Sequence, residues 1–156
     1  MFSRLKRFLR GDTQTLEDGT PGVVSYHEDD ARMRFAIEEA QQSLRVFFDA
    51  LVSPNPNQTG FLLKVHFEED GESEHVWMAD IDPSVMPLVG TVANETSLSR
   101  VEFMSRVSFG PEQITDWMYI EDGYLVGGYT TQVIRSAMTP EARAGHDRHA
   151  PYKFRD

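Results

Sequence analysis

The sequence contains no cysteine, which excludes disulfides, thiolate catalysis and cysteine-based zinc sites. Its apolar runs are short, so no segment is expected to span a bilayer. Basic residues are also few, because 15 bases stand against 25 acids and give a formal net charge of −10. Such a surface offers few cations to phosphates, so we expect no nucleic-acid partner. It could instead steer a basic protein into contact.

The usual motifs of nucleotide-binding and hydrolytic enzymes are missing as well. The sequence has no GxGxxG, no P-loop and no GxSxG. Its Glu74-His75-x-Trp77 block differs from the HExxH zinc motif, which needs two histidines one helical turn apart. We therefore predict no cofactor and no bound metal. The basic start is not followed by the apolar stretch of a secretory signal, so we expect a cytoplasmic protein.

The length of 156 residues, with 40% hydrophobic residues, predicts a single domain with its own core. We divide the chain into a basic segment and linker (1–22), one domain (23–138) and a flexible C-terminal tail (139–156). Turn-forming residues fill the stretch from Gly11 to Gly22, and the residues after Pro140 are polar and without a periodic pattern.

The first ten residues, MFSRLKRFLR, carry four bases and no acid. Phe2, Leu5 and Leu9 would share one side of a helix, with most of the bases elsewhere. Such a segment could bind a membrane surface or a partner, or could pack on the acidic body of the same chain. We favour a segment that packs on the body or frays from it, and we expect no membrane contact through Phe2 to Arg10.

One long amphipathic helix is predicted from Ala31 to Val52, a stretch without glycine or proline. Asp29 and Asp30 can cap its start, and Ser53-Pro54 ends it because the residue before a proline avoids the helical conformation. Its apolar residues recur at three- and four-residue steps and indicate a face turned to the core. They are Met33, Ile37, Ala40, Leu44, Phe47 and Leu51.

A β-hairpin is predicted from Phe61 to Asp82, with its turn at Asp70-Gly71. Centring the turn there pairs Phe67 with Glu74, His66 with His75, Val65 with Val76, and Lys64 with Trp77. Val65 and Val76 then face the helix, and Glu74 points away from His75. The opposite face displays the side chains of Lys64, His66, His75 and Trp77.

A second hairpin is predicted around Asp122-Gly123. Its register places Met118 opposite Gly127, Trp117 opposite Gly128 and Asp116 opposite Tyr129. Short strands are expected at Gly90 to Ala93 and Val101 to Phe109. Thr130 to Met138 could continue the strand or form a short helix, and we favour the helix. The predicted fold class is α+β, with the long helix packed on a curved, mostly antiparallel sheet of five or six strands that could close like a barrel.

Several blocks together resemble the YegJ-like bacterial family, a domain of unknown function. They are the Asp29-Asp30 helix start, Lys64-x-x-Phe67, Glu74-His75-x-Trp77, Gly90 with Asn94, Ile114-x-Asp116-Trp117, and Asp122-Gly123 before Gly127-Gly128-Tyr129-Thr130. The resemblance covers Tyr26 to Met138. One departure is Met104-Ser105-Arg106, which stands where such domains tend to carry a Gly-Asp pair. The resemblance implies a bacterial cytosolic protein and supplies no catalytic residues.

Two functions remain open from these residues. The first is a non-catalytic interaction module, of the kind that immunity proteins represent, which binds and blocks a basic toxin or effector. Its predicted binding residues are Lys64, His66, His75, Trp77, Trp117 and Tyr129, since tryptophan and tyrosine dominate interface energetics. The second is a small hydrolase or metal-binding enzyme, with His66 and His75 as the acid–base or ligand pair and Glu74 and Asp116 as carboxylates. We lean against an enzyme.

Overall fold

The computed structural model describes residues 30–155, so the expectations for residues 1–22 lie outside the described part. Within it, the chain forms one six-stranded sheet, four α-helices and a short 3-10 helix (Pro111–Gln113). The helices are α1 (Ala31–Gln42), α2 (Leu44–Val52), α3 (Tyr129–Ser136) and α4 (Pro140–His149). The strands are β1 (Gln58–Glu69), β2 (Glu72–Asp82), β3 (Leu88–Val92), β4 (Arg106–Phe109), β5 (Ile114–Glu121) and β6 (Tyr124–Gly127).

The sheet has the order β4-β3-β2-β1-β5-β6, and every neighbouring pair is antiparallel. The predicted α+β class and antiparallel sheet are therefore confirmed. The barrel-like closure is wrong, because β4 and β6 lie at opposite edges and do not pair with each other. The open sheet has two faces, and each face is covered by different parts of the chain.

Both predicted hairpin turns are confirmed. Asp70 and Asp122 have φ angles of 51° and 52°, the left-handed conformation that a two-residue type I′ turn requires. The register of β1 and β2 is the predicted one, with His66 opposite His75. In the second hairpin Met118 pairs with Gly127 as predicted. The ladder ends there, because the chain turns into α3 at the next residues.

The predicted long helix is interrupted at Ser43, and α1 and α2 are separate helices. The indole Nε1 of Trp117 donates a hydrogen bond to the Ala40 carbonyl (3.1 Å), which the next turn of a continuous helix would otherwise use. The Ser43 hydroxyl also donates to the Glu39 carbonyl (2.7 Å), a bond that bends helices. The predicted N-cap is confirmed, since the Asp30 side chain accepts from the Arg32 amide.

The first sheet face packs against α1 and α2. The sheet contributes buried side chains from Leu63, Val65, Val76, Met78 and Trp117, and α2 contributes Phe47. The predicted orientation of Val65 and Val76 toward the helices is thus confirmed. Burial of each large side chain contributes about 1.5–3 kcal/mol to stability. Most of the stabilisation from apolar burial therefore comes from this face.

The second sheet face carries a smaller core of Leu62, Trp77, Ala79, Met118, Ile120, Leu125, Ala150 and Tyr152. Two of these residues come from the region predicted to be a tail. Residues 140–149 instead form α4, which Thr139 caps by accepting from the Ala142 amide. The segment beyond it pairs with β6 through a parallel bridge between Tyr124 and Lys153. The apolar content that anchors this region is too sparse to give a periodic pattern in the sequence.

The strand predicted at Val101 to Phe109 is shorter in the structure, because β4 begins only at Arg106. Met104 has a φ of 71°, a left-handed conformation that glycine adopts more easily. Met104 therefore adopts a strained backbone conformation.

Candidate functional site

Lys64, His66, His75 and Trp77 share the second face of the sheet, as the predicted register requires. They do not form a displayed surface. Trp77 is 1% exposed and packs in the smaller core with residues of the C-terminal segment. The Lys64 ammonium lies 5.3 Å from the Trp77 ring centroid, a cation–π contact over the buried indole. The cluster is therefore mainly a packed surface.

The two histidines predicted as an acid–base pair are in ring contact. Their centroids are 4.7 Å apart with an angle of 31° between the rings. The Nδ1 atom of His75 lies 3.1 Å from the Thr115 hydroxyl, a neighbour on β5 that the sequence did not single out. Glu74 is not part of this cluster, because its carboxylate accepts from the Ser97 amide (3.0 Å) and hydroxyl. The pair thus has a hydroxyl neighbour and lacks Glu74.

No group of three or more histidine, aspartate or glutamate side chains in residues 30–155 is gathered in a way that could hold a metal ion. A zinc site needs at least three such ligands.

Asp116 is fully buried and caps α3 from a neighbouring strand. Its carboxylate accepts from the amides of Tyr129 (3.1 Å) and Thr130 (2.9 Å) and from the Thr130 hydroxyl (2.5 Å). The Lys64 ammonium donates to the same hydroxyl (3.1 Å). Burial raises the pKa of Asp116, while the charge of Lys64 and the hydrogen bonds oppose that rise. This geometry positions the start of α3.

Trp117 lies on the helix-facing side of the sheet, opposite to Trp77, and is 2% exposed. Tyr129 meets the Trp117 ring edge-on at 5.8 Å, and its hydroxyl lies 3.2 Å from the Ser43 hydroxyl. The six predicted binding residues therefore belong to two different faces. Only Tyr129 reaches the accessible surface described next.

A groove lies between α1 and α3 and has a volume of about 590 Å³. Ala31, Phe35 and Glu39 line it from α1, and Tyr129, Val133 and Ser136 line it from α3. Phe35 is 62% exposed, which is unusual for a large aromatic side chain. The lining of the α1–α3 groove is mainly apolar, and it includes the charged residues Arg32 and Glu39.

Sequence reasoning missed this groove. Phe35 lies off the apolar stripe that was used to predict the helix, and Val133 belongs to a helix whose position was unknown. An aromatic residue on the polar side of an amphipathic helix is the one signal that could have indicated an exposed binding residue.

No helix within residues 30–155 is both long and apolar enough to cross a membrane.

Comparison with known proteins places residues 30–154 within a family model described as an uncharacterized protein conserved in bacteria (DUF2314). A putative ankyrin repeat protein of Neisseria meningitidis serogroup B is 37% identical over 91 residues, which cover 55% of this chain. The chain spans only 36% of that relative. The uncharacterized protein YegJ of Escherichia coli is 27% identical over 109 residues, or 69% of this chain and 70% of YegJ. No solved structure matches the chain.

Proposed function

Because this chain belongs to the DUF2314 family of uncharacterized bacterial proteins, whose description names no activity, we propose a function from its structure: a non-catalytic module that binds another protein. The supporting observation is the α1–α3 groove, where Phe35 is exposed beside Tyr129 and Val133. A groove between two helices can take the apolar face of a partner helix. The YegJ-like resemblance stated from the sequence is confirmed.

The name of one relative agrees with this proposal. That relative is named for ankyrin repeats, and ankyrin repeats stack into extended concave binding surfaces. A chain that combines such a surface with the present domain would bring two binding elements together. The name describes the relative, and it supports the proposal for this chain only as an analogy.

The finer form of the proposal is an immunity-type protein of the cytoplasm that binds and blocks a basic bacterial toxin or effector. The net charge of −10 favours encounter with a basic surface. In this proposal the partner presents an amphipathic helix whose apolar residues contact Phe35 and Val133 of the groove.

A groove variant and a matched control test the proposal. Phe35→Glu places a charge in the groove, and Val52→Glu places the same charge at the end of α2, where Val52 is 65% exposed and does not line the groove. Both variants are used as baits in lysate of the source bacterium, and captured proteins are identified by mass spectrometry. We expect a basic partner that wild type and Val52→Glu retain and that Phe35→Glu loses at least tenfold. Equal capture by all three baits would contradict the groove as the binding site.

A second candidate is a small hydrolase or ligand-binding enzyme centred on His66 and His75. The contact of His75 Nδ1 with the Thr115 hydroxyl favours it, because a hydroxyl beside an imidazole is the arrangement of an activated nucleophile. The two carboxylates that the sequence offered bind elsewhere. Hydrolysis of a panel of nitrophenyl esters and phosphates, measured for wild type and His75→Gln, tests it. Hydrolytic activity that is as high in His75→Gln as in wild type would contradict this hypothesis.

A further inference from the structure

The α1 wall of the α1–α3 groove carries a pattern of side chains that is complementary to itself. Arg32, Phe35, Ala36 and Glu39 follow one another at the spacing that places residues on one side of a helix. Phe35 and Ala36 stand at the centre, with a cation three residues before Phe35 and a carboxylate three residues after Ala36. A half-turn about an axis between Phe35 and Ala36 therefore exchanges the two charged ends of the wall.

A second copy of the chain supplies the same side chains in the reverse order. In an antiparallel pair of α1 helices related by a two-fold axis, Arg32 of each copy faces Glu39 of the other. Such an interface is isologous, so each contact occurs twice. Opposite charges then meet at both ends of the helix pair, and the apolar residues meet between them.

The apolar residues fit this arrangement by size. The Phe35 side chain is 62% exposed, whereas Ala36 is 4% exposed and leaves room above it. Phe35 of one copy lies opposite Ala36 of the other, so that a large side chain meets a small one. Tyr129 and Val133 on α3 offer further apolar contacts to the incoming ring. Removal of two exposed aromatic rings from water supplies the attraction.

The charges on each copy are compatible with this contact. The net charge of −10 repels a second copy at long range, but physiological salt screens exposed charges beyond about 8 Å. The Nε atom of Arg32 lies 3.6 Å from the Asp30 carboxylate of its own chain, and the Arg32 side chain is still 62% exposed. A guanidinium has five N–H donors, so Arg32 can also bind the carboxylate of Glu39 across the interface.

We propose that a second copy of this chain occupies the α1–α3 groove, in an antiparallel two-fold dimer centred between Phe35 and Ala36. The contact is small, so we expect a dimer Kd on the order of 10 μM. The inference goes beyond the proposed function and does not depend on it, because a second copy fills the groove in the purified protein. A partner protein that uses the same groove competes with the second copy.

Sedimentation equilibrium of the purified full chain tests for the dimer, at concentrations from about 1 to 500 μM. We expect Phe35→Glu to raise the dimer Kd at least tenfold, because it brings two like charges to the centre of the interface. Val52→Glu is the matched control, since Val52 is 65% exposed and does not line the groove. A wild-type chain that stays monomeric throughout, or a dimer that Phe35→Glu does not weaken, would overturn the inference.

Charge reversal tests the antiparallel register. Arg32→Glu places two carboxylates together at both ends of the dimer, and Glu39→Arg places two guanidinium groups together there. Each variant alone should therefore dimerise at least tenfold more weakly than wild type. An equimolar mixture of the two variants restores opposite charges at both ends, and we expect mixed dimers as strong as those of wild type.

This rescue cannot arise within one chain, because Arg32 and Glu39 are seven residues and about 10 Å apart along α1. It also separates a weakened interface from a loss of folding, since a variant that failed to fold would gain nothing from the mixture. Mixed dimers no stronger than the dimers of either variant alone would overturn the inference. The proposed function keeps its separate test, because capture from lysate reports on another protein and sedimentation reports on the purified chain.

Discussion

Asp116 holds the start of α3 with one buried carboxylate, and α3 forms one wall of the groove. Replacement by alanine would leave the amides of Tyr129 and Thr130 without their acceptor. An unsatisfied buried donor costs about 1–3 kcal/mol. We expect Asp116→Ala to lower the free energy of unfolding by about 2–4 kcal/mol in urea titrations followed by tryptophan fluorescence. A loss below about 0.5 kcal/mol would contradict the capping role.

The pH dependence of stability provides a second test of Asp116. Burial raises its folded pKa above the ordinary value of 3.8, so the folded state holds the proton more tightly than the unfolded state. This contribution is fully present below pH 3.8 and is lost as the pH rises through the folded pKa. The stability of wild type should therefore fall relative to Asp116→Asn as pH rises from 3.8. Unfolding measured at several pH values for both chains shows whether the difference in their free energies of unfolding falls or rises with pH.

Gly127 is required by the close approach of Trp117. Its φ is +76°, and an added Cβ would lie 2.6 Å from the indole ring and even closer to the Trp117 carbonyl oxygen. Gly71 is a matched control, because its φ is +83° and nothing lies within 4 Å of its added Cβ. We expect Gly71→Ala to cost about 1–2 kcal/mol from the left-handed backbone alone. Gly127→Ala should cost clearly more in the same unfolding experiment, and equal losses would rule out the clash.

Residue pairing could be predicted from the sequence, whereas residue exposure could not. The Asp70-Gly71 turn fixed the partner of every residue in the first hairpin, including His66 and His75. The alternation of residues along the strand assigned Trp77 to the correct face of the sheet. It carries no information about which residues cover that face. The cover comes from Ala150 and Tyr152, far along the chain. Trp77 was therefore expected to be displayed, and it is buried.

At the scale of the elements, sequence patterns within one segment predict the helices and strands, but they do not predict the contacts between them. The apolar stripe of α1 and α2 is continuous, and the interruption at Ser43 arises because Trp117 on β5 uses the Ala40 carbonyl. The groove has the same origin. It depends on the placement of α3 beside α1, which the cap at Asp116 determines and no local pattern shows.

The helix α4 is joined to α3 by a bidentate ion pair. Nε and one Nη of Arg135 donate to the two carboxylate oxygens of Asp147, at 2.9 and 2.8 Å. These bonds lower the pKa of Asp147. The folded pKa is depressed, so the stabilisation is present above pH 3.8 and is lost as the pH falls through the folded value.

We expect Asp147→Asn to lower the free energy of unfolding by about 0.5–1 kcal/mol at pH 7, a modest value because the carboxylate is one-third exposed. The difference from wild type should shrink as the pH falls below 3.8, the sign opposite to that for Asp116. Arg148→Ala, at an exposed position of the same helix, is the control and should change stability little. A difference that grows in acid would refute the ion pair as the cause.

At the scale of the whole molecule, the family model covers residues 30–154 and therefore includes the C-terminal helix α4 and the segment after it. The domain predicted from the sequence ended at residue 138, because the polar composition beyond it gave no periodic signal. Few apolar residues are enough here, since Ala150 and Tyr152 fill a core that the sheet has already formed.

Removal of residues 139–156 distinguishes an integral part of the fold from a tail. The truncation removes two buried side chains, each worth up to about 1.5–3 kcal/mol, and the ion pair to Arg135. It also exposes Trp77 and the β6 edge to water. We expect red-shifted tryptophan fluorescence and loss of most of the folding free energy, which is about 5–15 kcal/mol for domains of this kind. Tyr152→Ala in the full chain should show part of the same loss. A truncated chain that unfolds at the wild-type urea concentration would mean that this region behaves as a tail after all.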